Sequence, residues 1–434
     1  MRAGELVRRG LAVLGVEAVY GAPLAGLRVA EADPPVTALL AEAHLLVHRT
    51  RCAVHAGDGA LTVLDRAARF PLGDLPALAV DDADGLVEAW RAADAHLRDG
   101  GAVTVRVGVD PGEAVEDRAP LAPDPVDRWV EPSDEDVARL AAARAPVALV
   151  GPGVAEPAWV PGLHALATAG SLGVLNTWGG KGVFHWRSRH HWATVGLQAR
   201  DLELGGLADA DLVITAGLDE REVPGGAWTG APTLDLAPGA LGPLAERWGR
   251  PRTELAMPPL RSGLAAVTQE GWTQDTTPLV PSRVTLAYGT VLGGGGLVAA
   301  DPGAAGYWVA RTFATTSLGG AVVPARAGAA GVAAACVVVA RLRSPGRPAL
   351  AVVDGAGGGL DPRTARVVDA AGRLGVAVPV ECWDADGPRL GPDEHVDRLR
   401  RAVVADRSAA LPLATDPGQL ERMVEVAGPV VAWR

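Results

Sequence analysis

Lysine is almost missing from this chain: Lys181 is the only one in 434 residues, and arginine makes up the rest of the 40 basic side chains. The 51 acidic residues leave a net charge of -11. Binding to nucleic acid draws on clustered positive charge that releases counterions from phosphates, so that class of partner is not expected. Only three cysteines occur, Cys52, Cys336 and Cys382, too widely spaced for a disulfide framework or a metal-ligand pair. No apolar run reaches the roughly 18 residues that would suggest a membrane span. The opening "MRAGELVRRGLAVLGVEAVYG" reads as an amphipathic helix running into a strand, without a signal-peptide cleavage site. These absences point to a cytoplasmic protein that acts on a small molecule, with neither nucleic acid nor membrane as partner.

Hydrophobic residues make up 48% and charged residues 21%, a globular composition. The length implies two to four domains. Glycine (55 residues), alanine and arginine are abundant, so a lone glycine cluster means less here than elsewhere. "GGGG" at Gly293 to Gly296 accordingly reads as a loop.

Two proline- and charge-rich segments divide the chain. "APLAPDPVDRWVEPSDED" (Ala119 to Asp136) predicts an extended linker ending in a helix cap at Ser133, and a second linker is expected from Ala256 to Arg283. They leave blocks at 1–120, 135–255 and 280–434. Short apolar runs alternate with helical patterns in each. The middle block gives the strands "APVALVGPG", "LGVLNTW" and "DLVITAG". The last gives "GLVAADPG", "PALAVVDG", "VAVPVECWD" and a closing "GPVVAW". Near-continuous apolar strands separated by helices predict an α/β protein of three doubly wound parallel-sheet domains. Right-handed crossovers would bring the C-terminal strand ends to one edge of each sheet. "VVDGAGGG" places Asp354 at such an edge.

Longer segments carry a resemblance. "ARAPVALVGPGV", "LGVLNTWGGKGVFHWRSRHHWATVG" and "LADADLVITAGLDERE" in the middle block, "AADPGAAGYWVARTF" and "GAAGVAAACVVVARLRSPGRPALAVVDG" in the last, and "GELVRRGLAVLGVEAVYGAPL" at the start form one set. Together they resemble thiamine-diphosphate-dependent enzymes of the acetolactate synthase and benzoylformate decarboxylase type, in a shortened and degenerate form. The resemblance implies a pyrimidine-binding-like domain, a central domain and a diphosphate-binding-like domain. It also implies thiamine diphosphate held through Mg²⁺ between subunits of a homodimer or homotetramer. The cofactor would supply the ylid and electron sink, leaving the protein to orient it. The activity implied is that of a lyase or carboligase on a 2-oxo acid or related acyl donor. A non-catalytic relative, serving as a partner or regulatory subunit or binding another phosphorylated ligand, is the alternative.

Carried over residue by residue, the resemblance places Asp301, Gly303, Gly328, Asp354 and Gly355 at the cofactor. It assigns the metal to Asp354 with Asp384 and Asp386, the first of which follows Asp354 by 30 positions. Magnesium needs oxygen ligands near octahedral geometry, which carboxylates can supply. Two departures stand out: Val353 replaces the leading glycine of the family's Gly-Asp-Gly, and "CWDADG" replaces its Asn-Asn. The family's catalytic glutamate has two candidates. Glu31 follows the order strand, Glu, helix, and Glu42 fits the distance but lies in a helical stretch. The first block is also short, with a helix or strand pair missing after "GDGALT".

The loop "WGGKGVFHWRSRHHW" is the densest cationic and aromatic cluster, with Lys181, Arg187, Arg189, His190 and His191 among Trp178, Trp186 and Trp192. It reads as a surface loop packing at an interface. The resemblance adds the option of FAD or ADP, since some relatives bind a nucleotide in this domain. Adjacent His190 and His191 side chains diverge, which argues against a metal pair.

Overall fold

The structure is a computed structural model. It describes residues 1–24, 27–117, 129–223, 227–249, 255–355, 357, 359–405 and 407–434, apart from the side chains at 99 and 100. Residues 119–128 of the first expected linker, and two positions of the glycine loop after Asp354, lie outside the described residues. The chain divides into two compact units, Met1–Val126 with Ala334–Pro345 and Pro362–Ala377, and Asp127–Ala333 with Gly346–Asp361 and Val378–Arg434. Among the described residues, no helix is long and apolar enough to cross a membrane.

In the first unit, α1 (Ala3–Val13) leads into β1 (Val16–Gly21) and β2 (Val29–Glu31). Helix α2 (Pro34–Val47) follows, capped by the Asp33 carboxylate, which accepts the N–H of Val36. Then come β3 (Arg51–His55), β4 (Ala60–Leu64), β5 (Ala77–Val80), α3 (Ala83–Gly100) and β6 (Ala102–Val107), giving the sheet order β2-β1-β3-β4-β6-β5. Leu6, Leu11, Leu61, Val63, Trp90, Leu97, Val103 and Val105 form its core. Trp90 of α3 packs so closely on Gly10 of α1 that a Cβ there would meet the indole at 1.9 Å.

One strand departs from the expected all-parallel order. A parallel pair needs a crossover of about a dozen residues or more. Only residues 56–59 separate β3 from β4, so the connection is a hairpin and β4 runs antiparallel to both β3 and β6. Gly57 and Gly59, at φ of +100° and +79°, provide the left-handed backbone this tight turn uses.

The second unit holds two five-stranded sheets whose named pairs are all parallel. Its first sheet has α4 (Asp134–Ala142), β7 (Pro146–Val150), α5 (Val160–Gly170), β8 (Gly173–Thr177), β9 (His191–Val195), β10 (Leu212–Ala216), β11 (Thr233–Leu236) and α6 (Leu241–Arg247). The strand order is β11-β10-β7-β8-β9. Its β7 shows why both faces are covered. Val147 and Leu149 join one hydrophobic cluster while Ala148 and Val150 join another, because alternate side chains point to opposite faces. Each fully buried aliphatic side chain contributes about 1.5–3 kcal/mol.

The remaining elements of the chain are α7 (Pro259–Trp272), α8 (Pro281–Leu292), β12 (Leu297–Ala300), α9 (Ala304–Thr312), β13 (Ala321–Val322), α10 (Val332–Arg343), β14 (Ala349–Asp354), α11 (Pro362–Arg373), β15 (Pro379–Trp383), α12 (Pro392–Val403), β16 (Ala409–Leu413) and α13 (Gln419–Ala427), of which α11 and α10 from Ala334 onward fall in the first unit. The sheet order here is β13-β12-β14-β15-β16. Two readings of the sequence are corrected. The stretch expected to be a second linker contains α7, whose Leu260, Leu264, Val267 and Gly271 make a buried stripe at helical spacing. The expected closing strand "GPVVAW" forms only an isolated bridge between Val430 and Gln198, and the sheet instead takes "AALPL" as its edge strand β16.

Candidate functional site

Three aspartates stand at the C-terminal edge of the last sheet. Asp301 follows β12, Asp354 ends β14 and Asp384 follows β15. Neighbouring backbone bonds align them: Asp301 N donates to Val352 O at 3.1 Å and Gly355 N to Trp383 O at 2.7 Å. The C-terminal strand edge of an open α/β sheet is where ligands bind, because loops and helix N-termini converge there.

Each of the first two carboxylates closes on a helix. Asp354 accepts the N–H of Ala304 through Oδ2 and that of Ala305 through Oδ1, both at 2.8 Å, and so caps α9. Gly303 makes this approach possible: at φ +143°, a Cβ there would lie 2.1 Å from Asp354 Oδ2. Although Asp354 is exposed at the edge, its oxygens are turned inward. Their desolvation raises the carboxyl above its ordinary value against the lowering pull of the two amides. Asp301 is buried and accepts from Gly331 N and Ala333 N, each at 2.7 Å, at the start of α10. Burial pushes its pKa up to about 7, with Asp361 and Asp354 adding repulsion and the two amides opposing.

The other candidates take quieter places. Gly355 packs against Asp384, where a Cβ would meet the aspartate's own Cβ at 2.7 Å. Asp384 Oδ1 accepts the N–H of Asp386 at 3.1 Å in a local turn, and Asp386 is exposed. Gly328 adopts φ +67° in open space before α10. Among the described residues, no three His, Cys, Asp or Glu side chains gather as a ligand set. In the first unit, Glu31 is the exposed last residue of β2, paired in register with Gly21, and α2 begins shortly after it. Glu42 is buried on α2.

These donors do not fit a magnesium diphosphate. The first amides of α9, which would cradle a phosphate, already hold the chain's own carboxylate. An added polyanion would also face the carboxylates of Asp301, Asp354, Asp361 and Asp384.

The central loop gives a different picture. Its last residues are not loop but β9, and the ring nitrogens of His190 and His191 bond the carbonyls of Leu172 and Trp186. Arg187 lies over the Trp186 ring at 4.7 Å. Lys181 is buried, and it lines a cavity with Arg261 and Trp272 of α7 and Arg311 of α9. Those three residues come from 80 to 130 positions further along the chain. No local sequence pattern ties them to Lys181.

Residues 134–233 match the family "thiamine pyrophosphate enzyme, central domain", and this segment belongs to it. No curated protein sequence matches the chain. Across 96% of this chain and 100% of the other, the fold is similar to a solved protein of Mycobacterium smegmatis assigned to the thiamin diphosphate-dependent enzymes, at a TM-score of 0.70 and 15% identity.

Proposed function

We propose that this chain is a relative of the thiamine pyrophosphate enzymes that has kept their scaffold without the magnesium-diphosphate grip, and serves as a binding or regulatory partner. One observation carries the reading: both carboxylate oxygens of Asp354 are bonded to the opening amides of α9, at 2.8 Å each. Val353 in place of glycine and the aspartates of "CWDADG" in place of paired asparagines agree with it. Fold alone does not decide activity, so the site's chemistry has to.

A second reading is favoured by Glu31. It ends a strand and precedes a capped helix, the order implied for the family's catalytic glutamate. On this reading the protein is a thiamine-diphosphate- and Mg²⁺-dependent lyase or carboligase acting on a 2-oxo acid.

Calorimetric titration of the chain with thiamine diphosphate, with and without Mg²⁺, separates the two. The first reading expects no saturable heat at millimolar cofactor. Saturable, Mg²⁺-dependent binding that is lost in Asp354→Ala would overturn it, and 2-oxo acid turnover lost in Glu31→Gln would establish the second.

A further inference from the structure

The cavity beside Lys181 has an unusual charge balance. Its volume is about 170 Å³, and its lining includes two arginines, a lysine and a histidine but no aspartate or glutamate. Arg311 is already neutralised, since its guanidinium pairs with both oxygens of Asp201. Arg261 donates only to the backbone carbonyls of Ser188 and His191 and so keeps its full charge. Lys181 is 7% exposed, and among the described residues its ammonium has no hydrogen-bond or ion-pair partner. Buried charges are normally paired, because an uncompensated one loses its hydration without return. The site is short of an anion.

The walls also constrain the body of that anion. Trp186 and Trp272 meet edge to face, with ring centroids 5.6 Å apart at 89°, and both line the cavity. The indole N–H of Trp272 and the Nε of Arg311 are buried without acceptors. These two groups lie inside the walls, so the demand for an anion comes from the Lys181 and Arg261 cations that line the cavity. At ~30 Å³ per water the space takes roughly six waters, which is room for one ring bearing a small acidic group.

We propose that the cavity formed by Lys181, Arg261 and Arg311 with Trp186 and Trp272 binds a small aromatic carboxylate. Its carboxylate takes the place of the missing counter-ion at Lys181, and its ring lies against the tryptophans. Inorganic phosphate shares the charge but not the ring. A neutral amide shares the ring but not the charge. The site is separate from the strand-end aspartates, so it stands whether or not the chain binds thiamine diphosphate.

Binding also moves a proton. Burial, with Arg311 adding repulsion, lowers the Lys181 amine to about 7, so above that pH it is largely uncharged until an anion arrives. His191 is held to about 3 by burial and by Lys181 and stays neutral throughout. Arg261 and Arg311 remain charged, and Asp201 remains paired with Arg311.

The test is calorimetry of the full chain with benzoate, benzamide and inorganic phosphate, at pH 6 and pH 8, in buffers of different ionisation heat. Expected are saturable benzoate binding, at least tenfold weaker benzamide and phosphate, and uptake of a proton at pH 8 but not at pH 6. Lys181→Met should weaken benzoate at least tenfold, with its melting curve confirming the fold. Absence of benzoate binding, equal binding of benzamide, preference for phosphate, or unchanged affinity in folded Lys181→Met would each overturn the proposal. Should Lys181→Met fail to fold, the wild-type proton uptake decides, and its absence at pH 8 would sink the assignment.

Discussion

Arg311 and Asp201 form a two-pronged ion pair shut off from solvent. Nη2 of the arginine lies 2.9 and 2.8 Å from the two carboxylate oxygens, with the side chains 1% and 0% exposed. Arg311 Nη1 also donates to Thr194 O at 2.8 Å, and Asp201 Oδ2 accepts the amides of Leu197 and Gln198. The pair pins α9 to the turn that follows β9, so it couples the two sheets of the second unit.

Removing both partners should therefore cost less than the two single removals added together. Asp201→Ala leaves a buried guanidinium unpaired and is expected to cost about 3–5 kcal/mol. The double variant Asp201→Ala/Arg311→Met should lose less than the sum of the singles by ~1 kcal/mol or more. Urea unfolding curves for the four proteins, followed by tryptophan fluorescence and circular dichroism together, measure this coupling. Additive losses would contradict it.

The Asp354 cap predicts a second pair of effects. Asp354→Ala strips the acceptor from the first amides of α9 and should cost about 0.5–2 kcal/mol. Gly303→Ala drives a methyl into Asp354 Oδ2 at a backbone angle that alanine resists, at an expected ~1–3 kcal/mol. Part of the Gly303→Ala loss should return in the Asp354→Ala background, as read from the shift in melting temperature.

Asp301 should make stability fall with rising pH. Its folded pKa of about 7 lies above the ordinary 3.8, so the folded chain holds more protons between those values. The destabilisation is absent below pH 4, grows to pH 7 and then levels off, amounting to on the order of a few kcal/mol. His44 and His191, both held to about 3, slope the other way below pH 6.5, so the comparison has to be made between variants. Asp301→Asn, relative to wild type, should gain stability from pH 4 to 7. A difference that does not vary with pH would refute the assignment.

Lys181 predicts the opposite slope in a different window. With a folded pKa of about 7 against the ordinary 10.5, the unfolded chain binds more protons there, and wild-type stability rises from pH 7 to 10.5. Lys181→Met, which removes an unpaired buried cation, is expected to be more stable than wild type at pH 6 by on the order of 1–4 kcal/mol. The advantage should shrink as pH rises toward 10.5. Chemical denaturation at pH 6, 8 and 10 reads it directly.

Much of this architecture was open to local reading. Continuous burial along the apolar run "PVALV", the Ser133 cap whose hydroxyl accepts the N–H of Asp136, and the helix–strand order of the last block all depend on residues a few positions apart. Misreadings came where local signals were weak or ambiguous. Paired prolines before α7 looked like a linker, although Pro259 fits the first turn of a helix, where its missing N–H costs nothing. Val430 and its neighbours looked like a strand, but only one bridge forms there.

The sequence by itself determined that three α/β blocks would form and that aspartates would fall at the strand ends of the last, because side-chain period and turn chemistry are local properties. Tertiary structure alone decided where those carboxylates spend their lone pairs. The partners of Asp354 and Asp301, Ala304 and Gly331, lie 50 and 30 residues away. It alone also placed the chain's one lysine in a cavity with Arg261 and Arg311 and without an acid, since a charge's surroundings are set by elements that only packing brings together.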